Sequence, residues 1–341
     1  MAASCTYSKC NFLRIDHTTL TPRFSIDDNE SFNNGIAYLN NHGYAIFRDV
    51  LSQDEINTNI DLLWQFFENI PGCRIQRRDP STWSNYWPGF TTHGVVNNCG
   101  IGQSDFMWNI RSNPNVKRVF SQIWNTNQLL VSFDGCGIFR DWRYDATWKT
   151  KGGWFHVDQN PVCKPDRCCI QGFVSLTNQN ENTGGFIAIP NSHLRFAELA
   201  TLTRGKRDFV MIPRDHRILD NGQAIGKLVQ CQAGDLVLWD SRLVHCNSPA
   251  FAIQERRDDE PVDFLRIAAY VSMSPPVFIR DYTLEQFRKQ RKSIVENNCT
   301  LTHWSTELQQ TREPGDLPTV SLKKFNTYQR ALILGTDTDD A

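Results

Sequence analysis

This 341-residue sequence predicts a mainly β domain of sandwich or jelly-roll type, flanked by helices at both ends. Three observations carry the prediction. Between about residues 129 and 273, short apolar runs rich in β-branched and aromatic residues alternate with Gly, Asn, Asp and Pro. On either side of that region, apolar residues fall at helical spacing. The composition is 40% hydrophobic with 10 Trp and 21 Phe, which supplies a real core and argues against disorder. No internal repeat or low-complexity linker divides the chain.

Taken in order, residues 1–39 read as an N-terminal lead-in, loosely structured over 1–25. Gly43-Tyr44-Ala45-Ile46-Phe47 suits a short strand. Ser52 with Glu55 three residues on forms a capping box, and Ile56, Ile60, Leu63, Phe66 and Phe67 give the following helix one apolar face. A second helical pattern covers 106–124. Strands are expected at 129–133, 154–157, 170–176, 186–189, 235–239 and 264–273. Residues 40–282 therefore form the jelly-roll domain with its N-terminal helices. After Pro275-Pro276, residues 283–341 form a C-terminal extension: a helix near 284–296 and a polar tail, rich in Asp and Thr, that frays. The basic run Arg288-Lys289-Gln290-Arg291-Lys292 falls on the wet face of that helix.

Charge is balanced, with 36 Lys+Arg against 37 Asp+Glu. That excludes a general electrostatic attraction to nucleic acid or anionic membrane. The first 20 residues lack the apolar stretch of a secretory signal, and no 18-residue apolar run suggests a membrane span. A soluble cytoplasmic protein is expected, its eleven cysteines reduced. Cys163, Cys168 and Cys169 are clustered, but adjacent cysteines serve one tetrahedral zinc site poorly and no second pair accompanies them.

Chemistry concentrates in Gly152-Gly153-Trp154-Phe155-His156-Val157-Asp158-Gln159-Asn160-Pro161. In a strand, positions i and i+2 share a face, so His156 and Asp158 project together. Alone, His-x-Asp is a weak signal. The segment Gly234-Asp235-Leu236-Val237-Leu238-Trp239 strengthens it, because a strand and a short polar connection then lead to His245, 89 residues beyond His156. That separation lets the chain cross several strands and return beside the first. Two histidines and one carboxylate on one face leave three adjacent coordination positions open, the facial triad of non-haem iron(II) oxygenases. A chelating 2-oxo acid takes two of those positions and O2 the third. On the next strand Arg266 interrupts an apolar run; a buried guanidinium needs a partner, and its planar fork suits a carboxylate. A bound 2-oxoglutarate would supply one, whereas Asp263 or Glu260 would make it a structural ion pair.

With Gln171-Gly172-Phe173-Val174-Ser175-Leu176 and Gly184-Gly185-Phe186-Ile187-Ala188-Ile189-Pro190-Asn191-Ser192-His193 between these motifs, the chain over roughly 40–275 resembles the phytanoyl-CoA dioxygenase-like family. The resemblance implies a double-stranded β-helix (jelly roll, cupin-like), iron(II) and 2-oxoglutarate as cofactors, and succinate and CO2 as products. By the same resemblance His156, Asp158 and His245 match the metal ligands and Arg266 matches the 2-oxoglutarate arginine. The gap of 21 residues from His245 to Arg266 is longer than the family's usual one and contains Arg256 and Arg257, which compete for that role. In related halogenases a small residue replaces the carboxylate, so Asp158 points to hydroxylation or a related oxidation. The partner is a small-molecule substrate whose identity the sequence does not carry.

Gln171 and Asn247 are candidates for hydrogen bonding to 2-oxoglutarate, with a satisfied core amide the alternative for Gln171. His193 rivals His245 as distal ligand, although its Pro-Asn-Ser-His turn suits capping. His93 reads as a surface-loop histidine or as pocket lining. Ser132 and Asp134 share a strand face and are candidates for substrate contact, with a turn role open to Asp134 before Gly135. Trp83, Tyr86 and Trp87 pack in the core or over the mouth. His17, His42, His216 and His303 carry no recognisable context. Two rival functions remain: a jelly-roll metal enzyme that does not use 2-oxoglutarate, and a non-catalytic ligand-binding module.

Overall fold

Successive strands pass back and forth between two facing sheets, and that alternation decides the architecture. The structure, a computed structural model, describes residues 13–219, 225–252, 255–313 and 315–337. The first twelve residues of the lead-in, including Cys5 and Cys10, and the last four of the polar tail lie outside the described residues. The larger sheet runs Arg23–Ser25, Tyr44–Arg48, Leu236–Asp240, Ile170–Ser175, Phe264–Ser274, Cys136–Arg140 and Val95–Val96, with Leu130–Val131 paired to the end of Phe264–Ser274. The smaller runs Arg14–Asp16, Ile225–Leu228, Gly185–Ala188, His245–Ser248, His156–Val157 and Val210–Met211.

The nine strands from Cys136–Arg140 to Phe264–Ser274 contribute four to the larger sheet and five to the smaller, and every ladder among them is antiparallel. This is the double-stranded β-helix, a mainly β jelly roll with flanking helices. Gly184 turns the chain into one of its strands at φ +72°, where a Cβ would lie 2.3 Å from the Ser248 carbonyl oxygen, so only glycine closes that turn.

Apolar residues form three layers. The largest lies between the larger sheet and the helices Gln53–Glu68, Asp105–Arg111 and Pro114–Trp124, and includes Trp64 stacked on Phe264 with Trp83 tilted against both. Trp83 and Trp87 are thus core residues, while Tyr86 is half exposed. A second layer covers the outer face of the smaller sheet with Phe155, Val157, Val244 and Cys246. Between the sheets, Phe173, Phe186, Val237, Trp239 and Leu243 fill part of the interior. Each such aromatic contributes roughly 1.5–3 kcal/mol by burial. The remaining interior is open.

The predicted strands and the Ser52–Glu55 capping box are present. Two expectations fail, and one, the helical stretch at 106–124, holds with a break in it. Residues 13–25 are not a loose lead-in: Arg14–Asp16 and Arg23–Ser25 add parallel edge strands to the two sheets, and helix Asn29–His42 follows. The helical stretch at 106–124 is two helices, because Pro114 lacks the N–H a continuous helix needs and Asn113 caps the second. Arg291 is not on the wet face. It lies on the helix stripe of Phe287, Ile294 and Val295 and is fully buried, while Lys289 and Lys292 remain exposed.

The Arg291 guanidinium donates to the carbonyls of Ile333 at 2.6 Å, Ser305 at 3.0 Å and Val131 at 2.6 Å, and sits 3.9 Å from the Phe133 ring centroid. Burial pushes its pKa down to about 9. One side chain therefore ties helix Leu284–Glu296, helix Thr327–Leu334 and the segment around Ser305 to the barrel. Arg291→Ala leaves three buried carbonyls without donors and is expected to cost about 3 kcal/mol of unfolding free energy. A urea titration with an unshifted midpoint would refute this clamp.

Candidate active site

Two neighbouring strands of the smaller sheet bring two imidazoles together. His245 stands opposite His156 in the antiparallel register, and their ring centroids are 4.3 Å apart. Alternation explains their direction. Phe155, Val157, Val244 and Cys246 are committed to the outer layer, which turns His156, Asp158 and His245 to the interior. Asp158 follows the last strand residue, with its N–H donating to the Ser241 carbonyl at 3.2 Å.

One ligand-type atom from each of the three residues lies within 4.8 Å of the others. His156 Nδ1 faces the Trp154 carbonyl at 3.0 Å and His245 Nδ1 the Leu243 carbonyl at 2.9 Å. A carbonyl only accepts, so each Nδ1 carries the proton and each Nε2 presents a lone pair. Those Nε2 atoms are 3.5 Å and 3.3 Å from the two Asp158 oxygens. Two lone pairs and a carboxylate converging in a buried space are the donor set a divalent metal ion satisfies. Burial opposes charge on Asp158, but when the imidazoles are protonated their charge and Nε2–H groups outweigh it and hold the carboxyl well below its usual range. Burial, with His156 alongside, pushes His245 below the ordinary histidine value against the pull of Asp158. Trp154 stacks on His156 at 4.6 Å, and Phe186 and Trp239 flank His245.

Gln171 and Asn247 orient their neighbours. Gln171 Nε2 donates to Asp158 Oδ2 at 3.0 Å, and Asn247 Oδ1 accepts from Arg266 Nη1 at 3.2 Å. Both also line the cavity. Arg266 is 1% exposed, with Nη2 donating to the Ser248 carbonyl at 3.1 Å and its guanidinium 3.5 Å from the Phe139 ring centroid. Its Nε has no partner among the described residues, and burial pushes its pKa down to about 9. Neither structural-pair acid reaches it: Asp263 accepts from the Phe264 N–H, and Glu260 pairs with Arg143. Arg256 donates to the Glu260 carbonyl and Arg257 pairs with Asp259 in solvent, so only Arg266 of the three arginines lines the cavity. A buried cation bonded only to neutral oxygens fits an incoming carboxylate.

The cavity between the sheets has a volume of about 400 Å³ and contains the cluster and Arg266 together. His93 lines it against Trp154 and is not a surface-loop histidine. His193 is elsewhere, its Nε2 facing the Asn40 carbonyl at 3.0 Å. Asp134 reaches the cavity, as do Tyr270, Thr302 and His303, which sequence reasoning missed. Tyr270 was accessible in principle, since Arg266, Ala268 and Tyr270 alternate on one face. His303 carries no such signal, because tertiary packing alone carries the C-terminal segment to the site.

Two imidazoles and a carboxylate with open positions are the donor set of non-haem iron(II) oxygenases. A family model described as Phytanoyl-CoA dioxygenase (PhyH) matches residues 39–250, and the chain belongs to that family. It is 28% identical over 278 residues to Ava biosynthesis cluster protein O of Aspergillus versicolor, covering 78% of this chain and 85% of that protein. Among solved structures it is similar to the epimerase SnoN in complex with Fe3+, alpha ketoglutarate and nogalamycin RO, with a TM-score of 0.49 and 16% identity over 72% of this chain and 84% of that one. AviO1 from Streptomyces viridochromogenes is also similar, with a TM-score of 0.47 and 14% identity over 72% and 95%. No described helix is long and apolar enough to cross a membrane.

Metal binding at this cluster requires both imidazoles neutral, so protons compete with the ion. Affinity for cobalt(II) is expected to fall as pH drops through the imidazole range. With His245 displaced downward, part of the fall comes below the ordinary histidine value of about 6.5. Isothermal titration across pH 5–8 checks this; affinity independent of pH would place the ion elsewhere.

Proposed function

We propose that this chain is an iron(II)- and 2-oxoglutarate-dependent dioxygenase that oxidises, in the simplest case by hydroxylation, a small organic molecule. The observation carrying this reading is one cavity holding both the cluster His156, Asp158 and His245 and a buried arginine, Arg266, with no carboxylate partner among the described residues. His156, Asp158 and His245 hold the iron, and Arg266 takes the distal carboxylate of 2-oxoglutarate. When bound, iron and 2-oxoglutarate supply the oxidising power: O2 converts the 2-oxo acid to succinate and CO2 and delivers one oxygen atom to substrate.

The chain's own contribution is positional and electrostatic. Asn247 and the Ser248 carbonyl fix the plane of Arg266, and Phe139 supports its face, so the guanidinium is oriented before the carboxylate arrives. Low polarity around it strengthens the attraction and discriminates against uncharged acceptors. Gln171 holds one Asp158 oxygen, which restrains the carboxylate from rotating away from the metal. Trp154 and Phe209 cover the His156 ring and limit water at the reacting centre.

The test is anaerobic addition of iron(II), then 2-oxoglutarate, to metal-free protein. A weak visible charge-transfer band requiring both additions is expected, and Asp158→Ala abolishes it. Arg266→Ala weakens 2-oxoglutarate by about 100-fold, the cost of losing a desolvated charge-assisted pair. Iron binding without a band would favour a metal enzyme that does not use 2-oxoglutarate. Failure to bind iron would favour a non-catalytic module.

A further inference from the structure

Other polar groups line the same cavity and have no part in holding iron or 2-oxoglutarate. Asp134 is 7% exposed and lines the cavity. Its Oδ1 accepts from Ser132 Oγ at 2.9 Å and faces Arg111 Nη2 at 3.4 Å. No hydrogen bond to its Oδ2 is made among the described residues. The C-terminal segment lies alongside, because the Leu301 N–H donates to the Phe133 carbonyl at 2.8 Å. Thr302 Oγ1 and His303 Nε2 are buried there without partners among the described residues, and both residues line the cavity. Tyr270 projects from the strand face that carries Arg266. Buried polar groups are ordinarily paired, so such a cluster at one cavity is built for a ligand.

Charge decides what kind. Arg111 is fully buried and already balances the Asp134 carboxylate. A second cation at Oδ2 would leave a net positive charge in a low-dielectric site, whereas a neutral donor completes the oxygen at no such cost. Phe90, Val95, Phe139, Trp154 and Phe209 give the cavity a large apolar, mostly aromatic wall, beside the polar His93, Asn97, Gln179 and Thr311.

We propose that Asp134, flanked by Tyr270, Thr302 and His303, is the substrate-recognition element of the cavity. It accepts a hydrogen bond from a neutral donor, a hydroxyl or an amide- or indole-type N–H, on an otherwise apolar, ring-bearing molecule. This rests on the proposed function for placing the cosubstrate at Arg266 and leaving the Asp134 part of the cavity to the substrate.

The test uses the full chain with zinc(II) and 2-oxoglutarate, and again without them. It is titrated with indole, whose N–H only donates, and with benzofuran, its counterpart of similar shape with an oxygen and no donor. Indole is expected to bind about tenfold more tightly, the usual margin for a hydrogen bond to a charged acceptor. Isoindoline, an ammonium of similar size, is expected to bind no more tightly than indole. In Asp134→Asn the amide oxygen stays with Ser132 and Arg111, which places the NH2 where Oδ2 was. The variant offers a donor in place of an acceptor, and the preference inverts towards benzofuran. Thr302→Trp, which fills the space beside Asp134 and leaves the Arg111 pair intact, weakens both probes at least tenfold if Asp134→Asn fails to fold. Equal binding of indole and benzofuran to the wild type, tighter binding of isoindoline, or probe affinities unmoved by both variants would overturn the proposal. Failure of the protein to bind 2-oxoglutarate is read in its own titration and bears on the proposed function alone.

Discussion

His156 and His245 face each other across one antiparallel ladder, and much of the structure keeps those rings and the Asp158 carboxylate in register. A one-residue slip of either strand would turn its histidine outward and bring Val157, Val244 or Cys246 into the interior. The slip is opposed by the outer layer those residues fill and by the carbonyls of Trp154 and Leu243, which hold each ring by Nδ1. Packing on the back of the smaller sheet therefore sets the chemistry on its front.

Three buried arginines show how environment separates support from function. Arg291 is satisfied by three backbone carbonyls and ties helices to the barrel. Arg111 bonds the Gly102 carbonyl at 2.5 Å and pairs with Asp134. Among the described residues Arg266 has only neutral partners and none at Nε, and it stands in the cavity wall. All three are desolvated, and in each the pKa is driven down chiefly by burial. What distinguishes Arg266 is that its missing counter-charge has room to enter from outside the chain.

The C-terminal extension is part of the same unit. Phe325, Leu332 and Ile333 enter the main core, and residues 301–303 run beside Phe133 into the cavity wall. A jelly roll leaves one end of its interior open, and here a distant piece of chain completes that end. The barrel supplies the cluster His156, Asp158 and His245 together with Arg266, while the extension adds Thr302 and His303 to the same cavity. Divergence in such an extension can alter substrate choice without touching the reacting centre.

Short-range pattern was enough for a β sandwich or jelly roll, for the helix capped by Ser52 and for singling out His156, Asp158, His245 and Arg266 as candidates, and the family resemblance narrowed the fold to the double-stranded β-helix. Alternation along a strand and charge in an apolar run are local properties, and a single sequence displays them. The same reasoning misplaced Arg291, because a charged residue on a helix stripe reads as solvated until the carbonyls that receive it are known. It left His303 without context and counted His93 more readily as surface, since neither residue's neighbours in sequence are its neighbours in space. It left Gln171 and Asn247 as candidate cosubstrate contacts, and only the fold set one against Asp158 and the other against Arg266. The sequence by itself determined which residue types carry chemistry and which strand faces they share, because period and composition are written along the chain. The tertiary structure alone decided which buried charges find partners and which remain open to a ligand, because hydrogen-bond satisfaction depends on atoms that meet only when distant segments pack.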